Sequence, residues 1–222
     1  MKRKELSYND WLAQLYPEDA MNEEFCRNVT FQVCTACTLR CKYCYQSHDD
    51  HACETQVMTK ETAKECVDML FKMWDEDDKE AFINKNTKAI ILDFIGGEPM
   101  LQTEIIDYIC SYMVKESVKR DCPWKDNWMC SISTNGTLHF KKEVQDFLKK
   151  FEGHISYGVS IDGDKDIHDA CRVYPDGSGS WEDATRAQQD YNKNHPTPSG
   201  TKATICQATI PKIDKIVKYF ID

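Results

Sequence analysis

The residues best placed to do chemistry are four cysteines close together, Cys34, Cys37, Cys41 and Cys44. The last three fall in the pattern Cys37-Thr-Leu-Arg-Cys41-Lys-Tyr-Cys44. A cubane iron–sulfur cluster has four irons, and each wants a thiolate or a substitute for one. Three close cysteines satisfy three irons and leave the fourth open to a bidentate ligand, such as the amino and carboxylate groups of an amino acid. On spacing alone, a zinc knuckle or an electron-transfer cluster using all four cysteines is also open. A zinc ribbon, however, normally sets its two CxxC pairs well apart. The chain has 12 cysteines; the others, scattered at 26, 53, 66, 110, 122, 130, 171 and 206, read as small buried hydrophobes.

The elements that must hold this loop show in the hydrophobic pattern. Val29, Phe31 and Val33 alternate with polar neighbours as a first strand. Thr59 caps a helix whose apolar stripe is Ala63, Cys66, Val67, Leu70, Phe71 and Trp74. Residues 89–95 form a nearly continuous apolar run, expected to be a strand buried on both faces. Ile105, Ile109, Cys110, Met113 and Val114 mark a second helix. A third strand covers 128–134, Val144, Phe147 and Leu148 mark a third helix, and Ile155, Tyr157, Val159 and Ile161 a fourth strand. A helix over 181–192, a strand over 202–209 and a helix over 212–221 complete the series. Repeated β–α units imply a parallel sheet with right-handed crossovers. Five units predict an incomplete (β/α) barrel of TIM-like type, with a doubly wound sheet as the structural alternative. In both, ligands lie at the C-terminal ends of the strands.

The polar and glycine motifs fall there. The cysteine loop follows the first strand, Gly96-Gly97-Glu98-Pro99 the second, and Ser133-Thr134-Asn135-Gly136 the third. The fourth ends in Ser160-Ile161-Asp162-Gly163, followed by His168-Asp169-Ala170-Cys171-Arg172. Glycines at a strand end let backbone approach a ligand closely, Asn-Gly is also a common turn, and Arg172 has the fork that pairs with a carboxylate. His168 reads as a loop brace before a base, and no catalytic residue is singled out.

These segments, in this order, resemble those of radical S-adenosylmethionine (SAM) enzymes. The likeness runs from about residue 29 to 221 and is nearest to peptide maturases acting on Cys-x-x-x repeat targets, with anaerobic sulfatase maturases close by. Tyr43 stands where that family has an aromatic. The resemblance implies a [4Fe–4S] cluster on Cys37, Cys41 and Cys44, with SAM on the open iron. It implies that Gly96, Gly97, Glu98 and Pro99 lie against the methionine amino group. Thr134, Asn135, Ser160, Asp162 and Arg172 then flank the ribose and carboxylate. The implied activity is reductive cleavage of SAM to a 5′-deoxyadenosyl radical, used to modify a ribosomally made precursor peptide or another protein. An electron donor such as flavodoxin or ferredoxin is the implied partner. The family completes a sixth unit and a cysteine-rich C-terminal region, so residues 28–222 are expected to be a truncated core behind an N-terminal extension over 1–27.

Composition fits a globular chain of 222 residues, 41% hydrophobic and 29% charged. The net charge of −9 argues against a nucleic-acid partner, which needs a basic face. No apolar run reaches the ~20 residues a membrane helix needs, and no signal peptide follows Met1, so a cytoplasmic protein is expected.

Overall fold

A computed structural model describes residues 25–46 and 56–221. Five strands form one parallel sheet, β1 (Cys26–Cys34), β2 (Ala89–Gly96), β3 (Trp128–Thr134), β4 (Ile155–Ser160) and β5 (Gly200–Lys202), in the spatial order β1-β2-β3-β4-β5. Chain order and spatial order coincide throughout. A doubly wound sheet would reverse its strand order, so the sheet is the wall of a partial (β/α) barrel.

Helices α1 (Lys60–Glu76), α2 (Thr103–Lys119), α3 (Lys142–Lys150) and α5 (Trp181–Asn194) connect the strands; a single turn, α4 (Lys165–His168), precedes α5. Helix α1 starts at Thr59, whose hydroxyl accepts from Thr62 N at 3.1 Å. It ends at Asp77, a left-handed residue whose N–H donates to Met73 O. Its buried side chains are Ala63, Val67, Leu70, Phe71 and Trp74, and α3 buries Val144, Phe147 and Leu148.

The core lies between these helices and one face of the sheet: Phe31 and Val33 on β1, Ile90, Leu92 and Phe94 on β2, Cys130 and Ile132 on β3, Tyr157 and Val159 on β4. The opposite face differs. Ile91, Asp93 and Ile95 of β2 are half-buried, as are Ser131 and Ser133 of β3 and Ser156 and Ser160 of β4. So β2 is not sealed equally on both faces. The register aligns Thr30, Asp93, Ser131 and Ser156 in one polar row across four strands. An open barrel wall has a helix-covered outside and a polar inside, and apolar content alone did not separate the two for β2.

The fifth strand is shorter than expected. Its last rung to β4 is Ile161 N to Lys202 O at 3.0 Å. The chain then leaves the sheet because Thr204 N is captured by the Asp162 carboxylate at 2.9 Å. Cys206 and Thr209 close a turn, with Thr209 N on Cys206 O and Cys206 N on Thr209 Oγ1, both at 2.9 Å. Residues 203–209 are therefore a loop. A 3-10 turn over Ile210–Lys212 leads into α6 (Ile213–Ile221), on which only Ile216 is buried among the described side chains.

One core anchor lies between predicted elements. Trp124, fully buried, has its ring centroid 5.3 Å from Phe71 and 6.3 Å from Trp74, and its Nε1 donates to Thr87 O at 3.1 Å. Trp124→Ala is expected to destabilise the fold by about 3–5 kcal/mol, read as a lower urea midpoint with an unchanged slope.

Candidate functional site

The cysteine loop is fixed at both ends by backbone hydrogen bonds to other strand-end segments. Gly97 N donates to Cys34 O at 3.0 Å and Glu98 N to Ala36 O at 2.8 Å. The two chains touch so closely that a Cβ on Gly97 would lie 2.2 Å from Ala36 O, and one on Gly96 2.5 Å from Cys34 O. No side chain fits at either position, which is the local reason for the glycine pair. Farther along, Arg40 N donates to Val173 O at 2.7 Å and Lys42 N to Cys171 O at 3.0 Å. The loop thus lies on a platform built by residues 170–173, and buried Leu39 anchors it from below.

Cys37, Cys41 and Cys44 are all half-buried. Burial pushes the Cys37 thiol up, and the Cys44 sulfur adds to the rise. Burial raises Cys41 to about 11, against the pull of Arg172, with Cys37 and Cys44 raising it further. The three thiols thus lie near enough for the ionisation of one to be felt by another. Cys37 Sγ also accepts from Leu39 N at 3.4 Å and from Asn135 Nδ2 at 3.6 Å, the kind of N–H···S contact that tunes an iron–sulfur centre.

Cys34 stands apart. It is 2% exposed, and its thiol donates to Glu98 O at 3.4 Å. Among the described residues, no three Cys, His, Asp or Glu side chains converge on a single ion. With the Cys34 thiol turned to the Glu98 carbonyl, the candidate donors in this loop are Cys37, Cys41 and Cys44.

Glu98 organises the next two strand ends. It is buried, and its carboxylate accepts from Met100 N (3.1 Å) and Thr134 Oγ1 (2.7 Å) on Oε1 and from Asn135 N (2.8 Å) on Oε2. Burial pushes its carboxyl above the ordinary range, and those three donors pull it back. Asn135 Nδ2 donates to Thr38 Oγ1 at 3.0 Å, and Thr38 meets Thr137 Oγ1 at 2.7 Å. Thr134 and Asn135 thus tie the second strand end to the cysteine loop. Thr137, one residue past the motif, had no signal in the sequence beyond its neighbours.

Asp162 and Arg172 form the other half of the site. Asp162 is fully buried; it accepts Arg172 Nε at 3.0 Å, Thr204 N at 2.9 Å and the Tyr43 hydroxyl. Arg172 also reaches Thr204 Oγ1 at 3.3 Å and lies over the Tyr43 ring at 5.4 Å. The two residues that the resemblance sets beside the cofactor ribose and carboxylate thus also pair with each other and meet Tyr43. His168 is a brace. Its Nδ1 accepts Asp162 N at 3.3 Å, its Nε2 meets Ser180 Oγ at 3.0 Å, and Ser180 Oγ donates to Arg172 O at 3.0 Å. Burial, helped by Arg172, lowers His168 to about 4, so it is neutral with its proton on Nε2. Asp169 accepts Trp181 N at 2.9 Å at the start of α5. Ser160 is half-buried on the open face of the sheet, beside Lys202 in register, and Lys202 Nζ donates to Ser133 Oγ.

Comparison with known proteins matches residues 31–197 to the family model described as the Radical SAM superfamily. The chain is 27% identical to the uncharacterized protein MJ0907 of Methanocaldococcus jannaschii over 88% of its own length and 58% of that protein. It is 28% identical to the antilisterial bacteriocin subtilosin biosynthesis protein AlbA of Bacillus subtilis, over 65% of this chain and 26% of AlbA. It is 26% identical to the cysteine-type anaerobic sulfatase-maturating enzyme of Clostridium novyi, over 83% of this chain and 45% of that enzyme. The fold matches that of anSMEcpe solved with AdoMet and a Kp18Cys peptide: TM-score 0.65, 22% identity, 88% of this chain and 48% of that one. The chain spans less than two thirds of the length of each.

Proposed function

The chain belongs to the radical SAM superfamily, and on that premise we propose that it holds a [4Fe–4S] cluster on Cys37, Cys41 and Cys44, binds SAM beside it, and modifies a peptide or protein. The observation that carries this reading is the meeting, at one end of a parallel sheet, of three mutually sensing thiols with the Glu98, Asn135 and Asp162 segments. When bound, cluster and SAM together supply a one-electron cleavage that yields methionine and a 5′-deoxyadenosyl radical able to abstract an unactivated hydrogen.

The chain's own residues position, polarise and exclude water. Gly96 and Gly97 give the cysteine loop its close seat against β2. Glu98, Thr134 and Asn135 hold the strand ends rigid around it. Ser160 stays with the cofactor role, since its hydroxyl lies on the open face. Asp162 and Arg172 keep their proposed place beside the ribose and carboxylate, and they also fix Tyr43 between Cys41 and Cys44. The open face, with Thr30 exposed and Asp93, Ser131 and Ser156 half-buried, gives the substrate a polar wall. Residues 28–222 are the core that carries this chemistry, served by a low-potential donor of the flavodoxin or ferredoxin kind in the cytoplasm. No helix among the described residues is long and apolar enough to cross a membrane.

The peptide or protein class of substrate rests on the relatives. AlbA is named for bacteriocin biosynthesis, the Clostridium novyi enzyme for sulfatase maturation, and anSMEcpe was solved with a peptide. Precursor-peptide maturation is the reading preferred, with sulfatase-type maturation the alternative. The motif order resembles that of peptide maturases, in Phe94 through Pro99, in the stretch from Gln145 to Lys150, and in Ile161 through Arg172 to Ser178.

The test is iron and sulfide analysis after anaerobic reconstitution. About four irons per chain are expected. Cys37→Ala, Cys41→Ala and Cys44→Ala should each lose the cluster, and Cys34→Ala should keep it. Added SAM should change the paramagnetic resonance spectrum of the reduced protein, since it ligates iron directly. Loss of iron in Cys34→Ala alone, or a spectrum indifferent to saturating SAM, overturns the assignment.

A further inference from the structure

Two cysteines that the proposed chemistry does not use meet at the platform under the cluster loop, Cys171 within it and Cys206 against it. Cys171 Sγ and Cys206 Sγ are 3.8 Å apart, although 35 residues separate them in the chain. Cys171 is 3% exposed; Cys206 is half-buried. They line a cleft of about 460 Å³ together with Lys42, Tyr43 and Gln207. The Cys171 carbonyl receives Lys42 N, and Lys42 Nζ donates to Ala170 O at 2.7 Å. Cys206 sits in the turn that forms where the chain leaves β5, held by Thr209.

We infer that Cys171 and Cys206 are a redox-active dithiol, closed to a disulfide by a low-molecular-weight disulfide such as glutathione disulfide that enters this cleft. A disulfide needs its sulfurs at about 2.05 Å. Closing a gap of under 2 Å is within reach of rotamer changes at a turn whose neighbours are hydrogen bonds rather than packed core. The roles of the two sulfurs follow from their settings. Burial opposes ionisation of Cys206, but the Thr209 hydroxyl, the Ala208 and Thr209 N–H groups and the Cys171 thiol outweigh it and bring the thiol below its ordinary value. Burial raises Cys171. Cys206 is the attacking thiolate and Cys171 the resolving thiol.

The steps balance. Cys206 thiolate attacks one sulfur of glutathione disulfide, breaking its S–S bond, forming a Cys206–glutathione mixed disulfide and releasing one glutathione thiolate. Cys171, giving its proton to that thiolate, attacks the Cys206 sulfur, forms the intrachain bond and expels the second glutathione, which takes the proton first lost by Cys206. Two protein thiols are oxidised and one glutathione disulfide is reduced. The product staples the 170–173 platform to the loop after β5, joining two segments otherwise held by the Arg172 and Thr204 contacts.

A second close pair supplies the control. Cys110 on α2 and Cys130 on β3 are electrostatic neighbours, but both are fully buried in the core. Proximity without access should leave them reduced.

The experiment uses the full chain reconstituted with iron and sulfide and titrated anaerobically with glutathione disulfide. Free thiols are blocked, and tryptic peptides are mapped with and without reductant. The expected result is a linked species joining fragments 166–172 and 203–212, removed by dithiothreitol, while Cys110 and Cys130 stay alkylatable after denaturation. Cys171→Ser should lose the link and accumulate glutathione on Cys206. Cys206→Ser should lose the link and leave Cys171 unmodified. Absence of the linked species at an excess of glutathione disulfide, pairing of Cys206 with another cysteine, or no adduct on Cys206 in Cys171→Ser overturns the inference. None of these readouts depends on SAM cleavage, so failure here leaves the proposed function standing, and the reverse holds.

Discussion

Replacing Glu98 by alanine is expected to cost about 3–5 kcal/mol of folding stability. The carboxylate accepts three donors, Met100 N, Thr134 Oγ1 and Asn135 N, in a site with no solvent to replace it. Each orphaned buried donor costs about 1–3 kcal/mol. The isosteric Glu98→Gln is expected to be only partly kinder. If the amide oxygen stays with Thr134 and Met100, its NH2 faces the Asn135 N–H, donor against donor; the flipped amide faces the other two. The two variants separate by pH. Burial raises the Glu98 carboxyl in the folded chain, so the unfolded chain gives up this proton first as pH rises. The stability tied to the protonated form is complete below the unfolded value of about 4.3 and is lost as pH rises through the raised folded value. The parent chain should therefore gain on Glu98→Gln as pH falls across that window. Denaturant unfolding of both at several pH values checks this; a stability difference flat with pH would mean that the three donors cancel the effect of burial, and one that shrinks as pH falls that they dominate it. SAM affinity by calorimetry should fall in both variants, because the Gly96–Gly97 turn and the Asn135 backbone lose their common anchor.

The fold was legible where side-chain periodicity had a single cause. The α1 stripe and the Val144, Phe147, Leu148 triplet of α3 are the buried residues observed, with Cys66 alone half-exposed. Every motif placed at a strand end lies at one. The pattern misled where one apolar run could serve two faces: Ile91 and Ile95 look like core, yet they share the open face with Asp93. It misled again over 202–209, read as a strand, where a buried carboxylate, Asp162, takes the Thr204 N–H from the ladder. No local rule predicts that capture, because the two residues are 42 apart. The cysteine triplet was legible as a motif because the iron ligation proposed for it would impose residue type and spacing together. The partners of Asp162 and Arg172 were not, since a buried acid and a ligand-binding acid look alike in a sequence.

Arg172→Ala is expected to lose about 3–5 kcal/mol, because it leaves a fully buried Asp162 carboxylate without its cation. Arg172→Lys keeps the charge but not the fork. It cannot reach Asp162 and Thr204 Oγ1 together or stack on Tyr43, so an intermediate loss is expected. The double variant Asp162→Leu with Arg172→Met should be more stable than Arg172→Ala alone, since removing both members strands no charge. A double-mutant cycle should give a coupling of about 1–3 kcal/mol. The same pair reaches the cysteine loop through Tyr43, whose hydroxyl donates to Asp162. Tyr43→Phe removes that bond to an ionised group, worth about 1.5–3 kcal/mol, and frees the backbone between Cys41 and Cys44. Iron bound per chain should therefore fall in Tyr43→Phe and Arg172→Ala, although neither residue is a ligand. Arg172→Lys should retain more iron than Arg172→Ala at the same fraction folded, measured by circular dichroism alongside iron content. Equal iron in all four proteins at equal folded fraction would mean that the pair stabilises the fold without positioning the cysteines.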